Sequence, residues 1–326
     1  MSMVINGTSG ITFPDGSLQG IGVGRRNLII NGAMQVWQRG TSFSSSGYTA
    51  DRWSWSGGGA GSISRQSFTV GSEIEDSPYY LRWAITGNSQ NLELLQKIED
   101  VRTAAGKTCT LSFWAKSSSN ETLGWAVYQN FGSGGSSLTA ADGGTYTATT
   151  SWQKFTFTFD MPSISGKTIG TNHYVWVRIA QMQTTNTPTL DFAGVQLEVG
   201  SVATPFEHRS YGEELALCQR YFEKDNPYTP TSFGGNLRGW AYHPANGSGN
   251  AMSRDGSVTS FAVEKRANPT ITLYSYNGTS GAVSWITGGG TDSNVVARPA
   301  TSSFQTSSST YRNLHVWFAW TADAEL

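Results

Sequence analysis

Glu73, Glu75 and Asp76 stand together just ahead of Ser77-Pro78, and three carboxylates so close are the first place to look for acid–base chemistry. A hydrolase needs a positioned acid and base, or a nucleophile with its base. A charge cluster before a proline is instead the pattern of a solvated loop. His173, His208, His243 and His315 have neither a zinc spacing nor a triad pattern. Cys109 and Cys218 are too far apart for a disulfide framework or a metal set, and they read as buried free thiols in a strand-like and a helical run. The expectation is a chain with no catalytic residue and no cofactor.

Binding chemistry is better supplied. Sugars stack on aromatic rings while Asn, Gln and Arg hydrogen-bond their hydroxyls. Trp114, Tyr174, Trp176 and Arg178 lie on the polar faces of strands whose opposite faces are apolar, and they form one stacking surface if those strands are neighbours. The alternative is that this face packs against another subunit or another domain. Towards the C-terminus, "RGWAYHPANGSGNAMSRDGS" places Trp240, Tyr242 and His243 beside a loop rich in Asn, Gly and Ser. Tyr274, Tyr276, Trp285 and Trp317 are further candidates there, with Tyr274 and Tyr276 sharing a strand face opposite Ile271 and Leu273. Some of these rings must be core. Loops on a rigid β scaffold are where recognition usually resides.

The elements that must position these residues are strands. Cys109, Leu111, Phe113 and Ala115 alternate with Thr110, Ser112, Trp114 and Lys116, and "WQKFTFTF" and "HYVWVRIA" repeat the period of two. Such strands with Gly/Ser/Asn turns between them predict an antiparallel sandwich over 27–208. "NLELLQKIEDV" fits a strand or a helical stripe equally. The signal returns in "SVTSFAVEKR", "TITLYSYNG" and "NLHVWFAWTADAEL", which makes 225–326 a second, smaller β domain. Between them, Ser210 and Glu213 form a capping box that opens a helix over Ser210–Lys224, stopped by Asn226-Pro227. Leu215, Cys218 and Phe222 follow one edge of it, Leu217 and Tyr221 another. Such a short helix is marginal alone, and its edges need either the flanking domains or symmetry copies of itself. Residues 1–26 are glycine-rich and too short to fold alone, and read as an arm.

Composition narrows the partners. Charged residues are 14% of the 326, against about 25% in ordinary soluble domains. A net charge of −1 gives no electrostatic case for nucleic acid or anionic membrane. No apolar run is long enough to span a bilayer, and "MSMVINGTSG" lacks the features of a signal peptide. Synthesis in a cytoplasm and a soluble product are expected.

"NLIINGAMQVWQRG" followed by "YTADRW", then "QKIEDVRTAAGKTCTLSFWAKS", then "VQLEVGSVATPFEHRSYGEELALCQRYF", resemble bacteriophage tail-fibre proteins. "VEKRANPTITLYS" and "TADAEL" are similar to the tip of the same fibres. The resemblance implies an all-β fold: two antiparallel β-sandwich, jelly-roll-like domains joined by a short helix in a parallel homotrimer. It implies an arm at 1–26 held by the phage tail or an adaptor, a carbohydrate-binding-module-like jelly roll at 27–208, a trimerisation helix at 209–224 and a tip at 225–326. The partner is then a host-surface glycan or protein, and the location the virion. A collar or head fibre without a receptor, and a binding module accessory to an enzyme, remain alternatives. In such modules an acidic residue after the opening "NG" often helps hold a structural calcium. Here Gln35 takes that place and only Asp191 stands on the closing strand, so a calcium would rest on Asp191 alone.

Overall fold

The computed structural model describes residues 4–6, 10–12, 18–19, 26–57, 61–69, 71, 74, 77–87, 89–184, 186–225, 239–243, 254–275, 278–285, 291–292, 295–308 and 314–326. In the strands at 4–19, 239–243 and 254–257, and at 89–90, 183–184, 285, 291–292, 307–308, 314–315 and 317, it describes backbone alone. The described chain is nearly all β with one helix. That helix is too short to cross a membrane.

β1 (Val4–Asn6), β2 (Gly10–Thr12) and β3 (Leu18–Gln19) make a small antiparallel sheet.

Two compact units make up the chain, one from residues 1–35, 42–47 and 53–209, the other from residues 36–41, 48–52 and 210–326. The first holds β4 (Ser42–Phe43), β5 (Gly47–Tyr48, at its margin), β6 (Trp53–Ser56), β7 (Gly61–Ser67), β8 (Tyr79–Ile85) and β9 (Ser89–Glu99). It continues with β10 (Thr108–Ser117), β11 (Glu121–Asn130), β12 (Thr139–Ala148), β13 (Gln153–Asp160), β14 (Tyr174–Thr184) and β15 (Thr189–Val199). Two six-stranded antiparallel sheets result, in the orders β13-β10-β15-β8-β7-β4 and β12-β11-β14-β9-β6-β5. The ambiguous "NLELLQKIE" is strand β9: Leu92, Leu94 and Gln96 face inwards at period two, and Gln96 holds both backbone groups of Ile30 at 2.9 and 2.8 Å.

Aromatic rings knit the inner faces together. Trp125 stacks on Phe157 across the layers at 4.2 Å, Trp55 meets Trp83 edge-on at 5.6 Å, and Phe113 meets Tyr146 at 5.3 Å. These contacts make the two sheets a jelly-roll-like sandwich. The opening "NLIING" closes it from the side. Asn27 accepts from Ile29 N and Leu197 N and donates to Val195 O at 3.0 Å. Gly32 is required there because a Cβ would lie 2.1 Å from the Val195 carbonyl oxygen. Both cysteines are buried and free.

The second unit opens with α1 (Tyr211–Gln219), and the Ser210 hydroxyl accepts from Glu213 N at 3.3 Å as its N-cap. The helix is shorter than the pattern to Lys224 suggests. Arg220 caps it, and Phe222–Lys224 is instead β16, which pairs antiparallel with 321–323. Strand pairing outcompetes another helical turn because it buries Phe222 and fills the backbone groups of both segments. β17 (Gly239–His243), β18 (Arg254–Ser260), β19 (Thr270–Tyr274), β20 (Val283–Trp285), β21 (Thr291–Asp292), β22 (Val295–Pro299), β23 (Ser303–Ser308) and β24 (Leu314–Asp323) follow. β16, β17, β19 and β20 all pair with the long β24, while β18-β23-β22 form a second sheet. Leu273, Val283, Val316, Phe318 and Trp320 from one sheet pack on Val295 and Phe304 from the other, giving a second sandwich core.

Segments 36–41 and 48–52 are built into this second unit. Arg39 lies 3.6 Å over the Phe222 ring and pairs with Asp323 at 3.2 Å and Glu325 at 3.4 Å. Arg52, fully buried, lies 3.5 Å over the Tyr221 ring and hydrogen-bonds Glu325. Asp51 Oδ1 accepts from Gln38 N at 3.0 Å, and Gln38 donates to the Phe222 carbonyl at 2.7 Å. Burial pushes the Asp51 carboxyl up, against the pull of Arg39 and Gln38.

Candidate functional site

The outer face of the β14 sheet carries the most convincing aromatic-polar surface among the described residues. Alternation on β14 turns Val175, Val177 and Ile179 into the core and Tyr174, Trp176 and Arg178 outwards. The register of β11 sets Tyr128 opposite Trp176, and the rings meet at 5.3 Å, tilted by 35°. Arg178 lies 5.9 Å from the Tyr128 centroid and 6.0 Å from that of Trp176, and its guanidinium holds Glu93 of β9 at 2.5 Å. At the other end of the row Asn130 donates to the Tyr174 hydroxyl at 3.2 Å, and the Lys97 ammonium lies 4.9 Å from that ring. Burial pushes the Tyr174 phenol up, so it stays protonated.

The arrangement combines a half-exposed aromatic pair with donors and acceptors at both ends. Arg178 and Lys97 are offset by Glu93 and by Glu99, which pairs with Tyr174 in the ladder. Two positive and two negative groups leave no net charge. The Trp176 indole N–H and the Arg178 Nε are shielded from solvent without a protein partner, so the groups open to a ligand are the ring faces and the outer polar atoms of Lys97, Glu93 and Asn130. Such a surface can stack an uncharged pyranose ring and hydrogen-bond its hydroxyls.

The residues expected to act together do not all meet. Tyr174, Trp176 and Arg178 share a face, but Trp114 belongs to β10 in the other sheet, where it pairs with Ala193 of β15. The surface that depended on β10 and β14 being neighbours is therefore split across the two sides of the sandwich. In the second unit Tyr274 is half-buried beside the core residue Leu273. Trp240 pairs with Trp317, and Tyr242 with His315, in the β17–β24 ladder. The side chains of Trp240, Tyr242, His243 and Trp317 lie outside the described residues, as does all of Tyr276 and the cluster Glu73, Glu75 and Asp76.

Of the helix residues, Leu215 and Leu217 are half-buried while Cys218, Tyr221 and Phe222 are buried within the single chain. The last two are also not helical, and Arg52 and Arg39 already cover them. Asp191, the residue a calcium would need, is 2% exposed and held by two cations. Arg82 grips it with two hydrogen bonds of 2.8 and 2.9 Å and the Lys116 ammonium lies at 3.5 Å. A carboxylate so paired does not fit a calcium ligand, and the described residues hold no group of three metal-binding side chains. Among the histidines, His173 Nδ1 accepts from Val101 N at 3.1 Å and His208 packs on Phe206.

Tyr128, Lys97 and Glu93 had a signal in the sequence: each is on the polar face of a period-two run, "ETLGWAVYQN" or "NLELLQKIE". What the sequence lacks is any mark that β9 and β11 flank β14.

Residues 49–173 match the family described as Carbohydrate binding domain. That family is one of binding rather than catalytic domains, and the match supports a carbohydrate-binding role for this part of the chain. No curated protein matches the sequence. The solved structures similar to it include a CBM4 module, at 18% identity over 52% of this chain and 98% of that one, with a TM-score of 0.34. Another is a CBM61 module in complex with β-1,4-galactotriose, at 12% identity over 54% and 100%, with a TM-score of 0.35. A third is the enzymatically active domain of tailspike protein 4 of bacteriophage CBA120, at 16% identity and a TM-score of 0.36. The alignment spans 53% of this chain and 21% of the tailspike domain.

Proposed function

We propose that the chain is a phage tail fibre that attaches to a saccharide on the host surface, and that the outer face of the β14 sheet is a saccharide-binding surface. The Tyr128–Trp176 pair, flanked by Arg178 and Glu93, carries the binding part of this reading. The fibre part rests on the resemblance of "VQLEVGSVATPFEHRSYGEELALCQRYF" to tail-fibre proteins. In this reading 1–26 is the arm held by the tail or its adaptor, 27–208 the glycan-binding jelly roll, 209–224 the joint and 225–326 the tip, in a virion homotrimer. Three copies would give a weak site avidity. Of the apolar residues expected to pack between helices, Leu215 and Leu217 remain partly open to neighbouring helices.

Three measurements test it. Labelled protein should decorate host cells, and Trp176→Ala should lower affinity for the surface saccharide about tenfold, or ~1.4 kcal/mol, with the fold unchanged. A Trp176→Ala protein that binds as well as the parent removes the β14 face from the reading. Light scattering should give three times 35.2 kDa, and Leu215→Asp with Leu217→Asp should lower it to one chain. A monomeric parent favours the second reading, a binding module accessory to an enzyme, to which the family match applies equally.

A further inference from the structure

The opposite side of the first sandwich carries a second cluster with a different charge. Its centre is a row across three strands: Lys116 of β10 pairs with Asp191 of β15, which pairs with Arg82 of β8. Three rings gather at one end of that row. Phe68 and Tyr80 lie 4.8 Å apart, Phe68 and Trp152 5.4 Å, and Tyr80 and Trp152 5.5 Å, the last pair edge to face. The Lys116 ammonium lies 5.1 Å from the Trp152 ring centroid and 5.9 Å from that of Tyr80. Arg82 donates to the Tyr80 hydroxyl at 3.3 Å.

Asp191 is buried, but its two cations are not. The Arg82 side chain is 35% exposed and that of Lys116 29%, and all three rings are half-buried. Two positive charges on one carboxylate leave the cluster at +1, and Arg82 commits only Nε and one terminal nitrogen to Asp191. The hydrogen bonds to Asp191 raise the Arg82 pKa, so this cation is permanent. The β14 face, by contrast, sums to zero.

We propose that this face is a second saccharide site, selective for sugars that bear a carboxylate. The sugar ring stacks on Trp152 and its carboxylate lies against the exposed edges of Lys116 and Arg82, displaced from the buried Asp191. The proposal rests on the glycan-binding reading of the sandwich but on none of the residues of the β14 face, so either surface can fail without the other.

The test is protein-observed NMR of tryptophan indole N–H resonances in the full chain, titrated with methyl β-glucuronoside and with methyl β-glucoside. The uronoside is expected to move the Trp152 resonance with an affinity about tenfold above that of the neutral glycoside, the worth of one charge-assisted contact of ~1.4 kcal/mol. Lys116→Gln should remove that preference. Trp176→Ala should leave the Trp152 shift unchanged. A uronoside that moves only Trp176, that moves no indole, or that binds no better than the glucoside overturns the proposal. So does a Lys116→Gln protein with the parent's preference.

Discussion

Lys265 is among the most completely buried charges described in the molecule, its side chain 0% exposed, with Glu223 as its counter-ion at 2.5 Å. Ala262 N also donates to Glu223, and Lys265 donates to the Val263 carbonyl at 2.8 Å. Breaking such a pair leaves an uncompensated charge, so Glu223→Ala should cost about 3–5 kcal/mol in urea unfolding of the second unit. Replacing both residues by Met should cost far less, because no charge is then stranded. Glu207 makes a prediction about pH. Burial works to raise its pKa, but the N–H groups of Arg26 and Asn27 and the Arg209 guanidinium outweigh it and hold the carboxyl below its ordinary 4.5. A carboxyl lowered in the folded state stabilises fully above its unfolded value and loses that contribution as pH falls through the folded one. Stability of the first unit should therefore drop below about pH 4.5, and Glu207→Gln should flatten that part of the slope.

At the scale of elements, the strands that carry the candidate sites depend on tight closures at their ends. Gly132 follows β11 at φ 77°, and a Cβ there would stand 2.0 Å from the Thr171 carbonyl oxygen just before β14. Gly132→Ala should shift this closure and cost about 2 kcal/mol or more, read as a lowered thermal midpoint, with Asn130 and Tyr174 displaced together. The strands themselves were legible. Phe113, Val177 and Val316 are core residues because period two puts one side of each strand inside. Sheet membership was not, since alternation says which face a residue takes and nothing about which strand lies beside it. That is why alternation groups Trp114 with Trp176 although the fold sets them on different sheets. The helix start was legible from Ser210, a local hydrogen bond, whereas its early end was set by β24, about a hundred residues away in sequence. The clusters around Tyr128 and Trp152 were invisible for the same reason: each assembles from strands far apart in the chain.

At the scale of the whole molecule, one unit is made from three stretches of chain, 36–41, 48–52 and 210–326. Their joint consists of Arg39 and Arg52 against Tyr221, Phe222, Asp323 and Glu325. Glu325→Ala should therefore raise the exchange rates of the Gln38 and Asp51 amides, which are hydrogen-bonded within this unit, as a local opening measured by hydrogen–deuterium exchange. An Asp51 amide whose protection is unchanged would show that segments 36–41 and 48–52 hold without the ion pair. The same stitching constrains how such genes can be shuffled. A crossover anywhere between the codons for residues 53 and 209 would inherit the two arginines from one parent and their aromatic and acidic partners from the other. Hybrids that exchange residues 210–326 would stay folded only where both parents keep the Gln38-Arg39 and Asp51-Arg52 pairs, so inheritance of that segment is tied to two dipeptides more than 150 residues ahead of it.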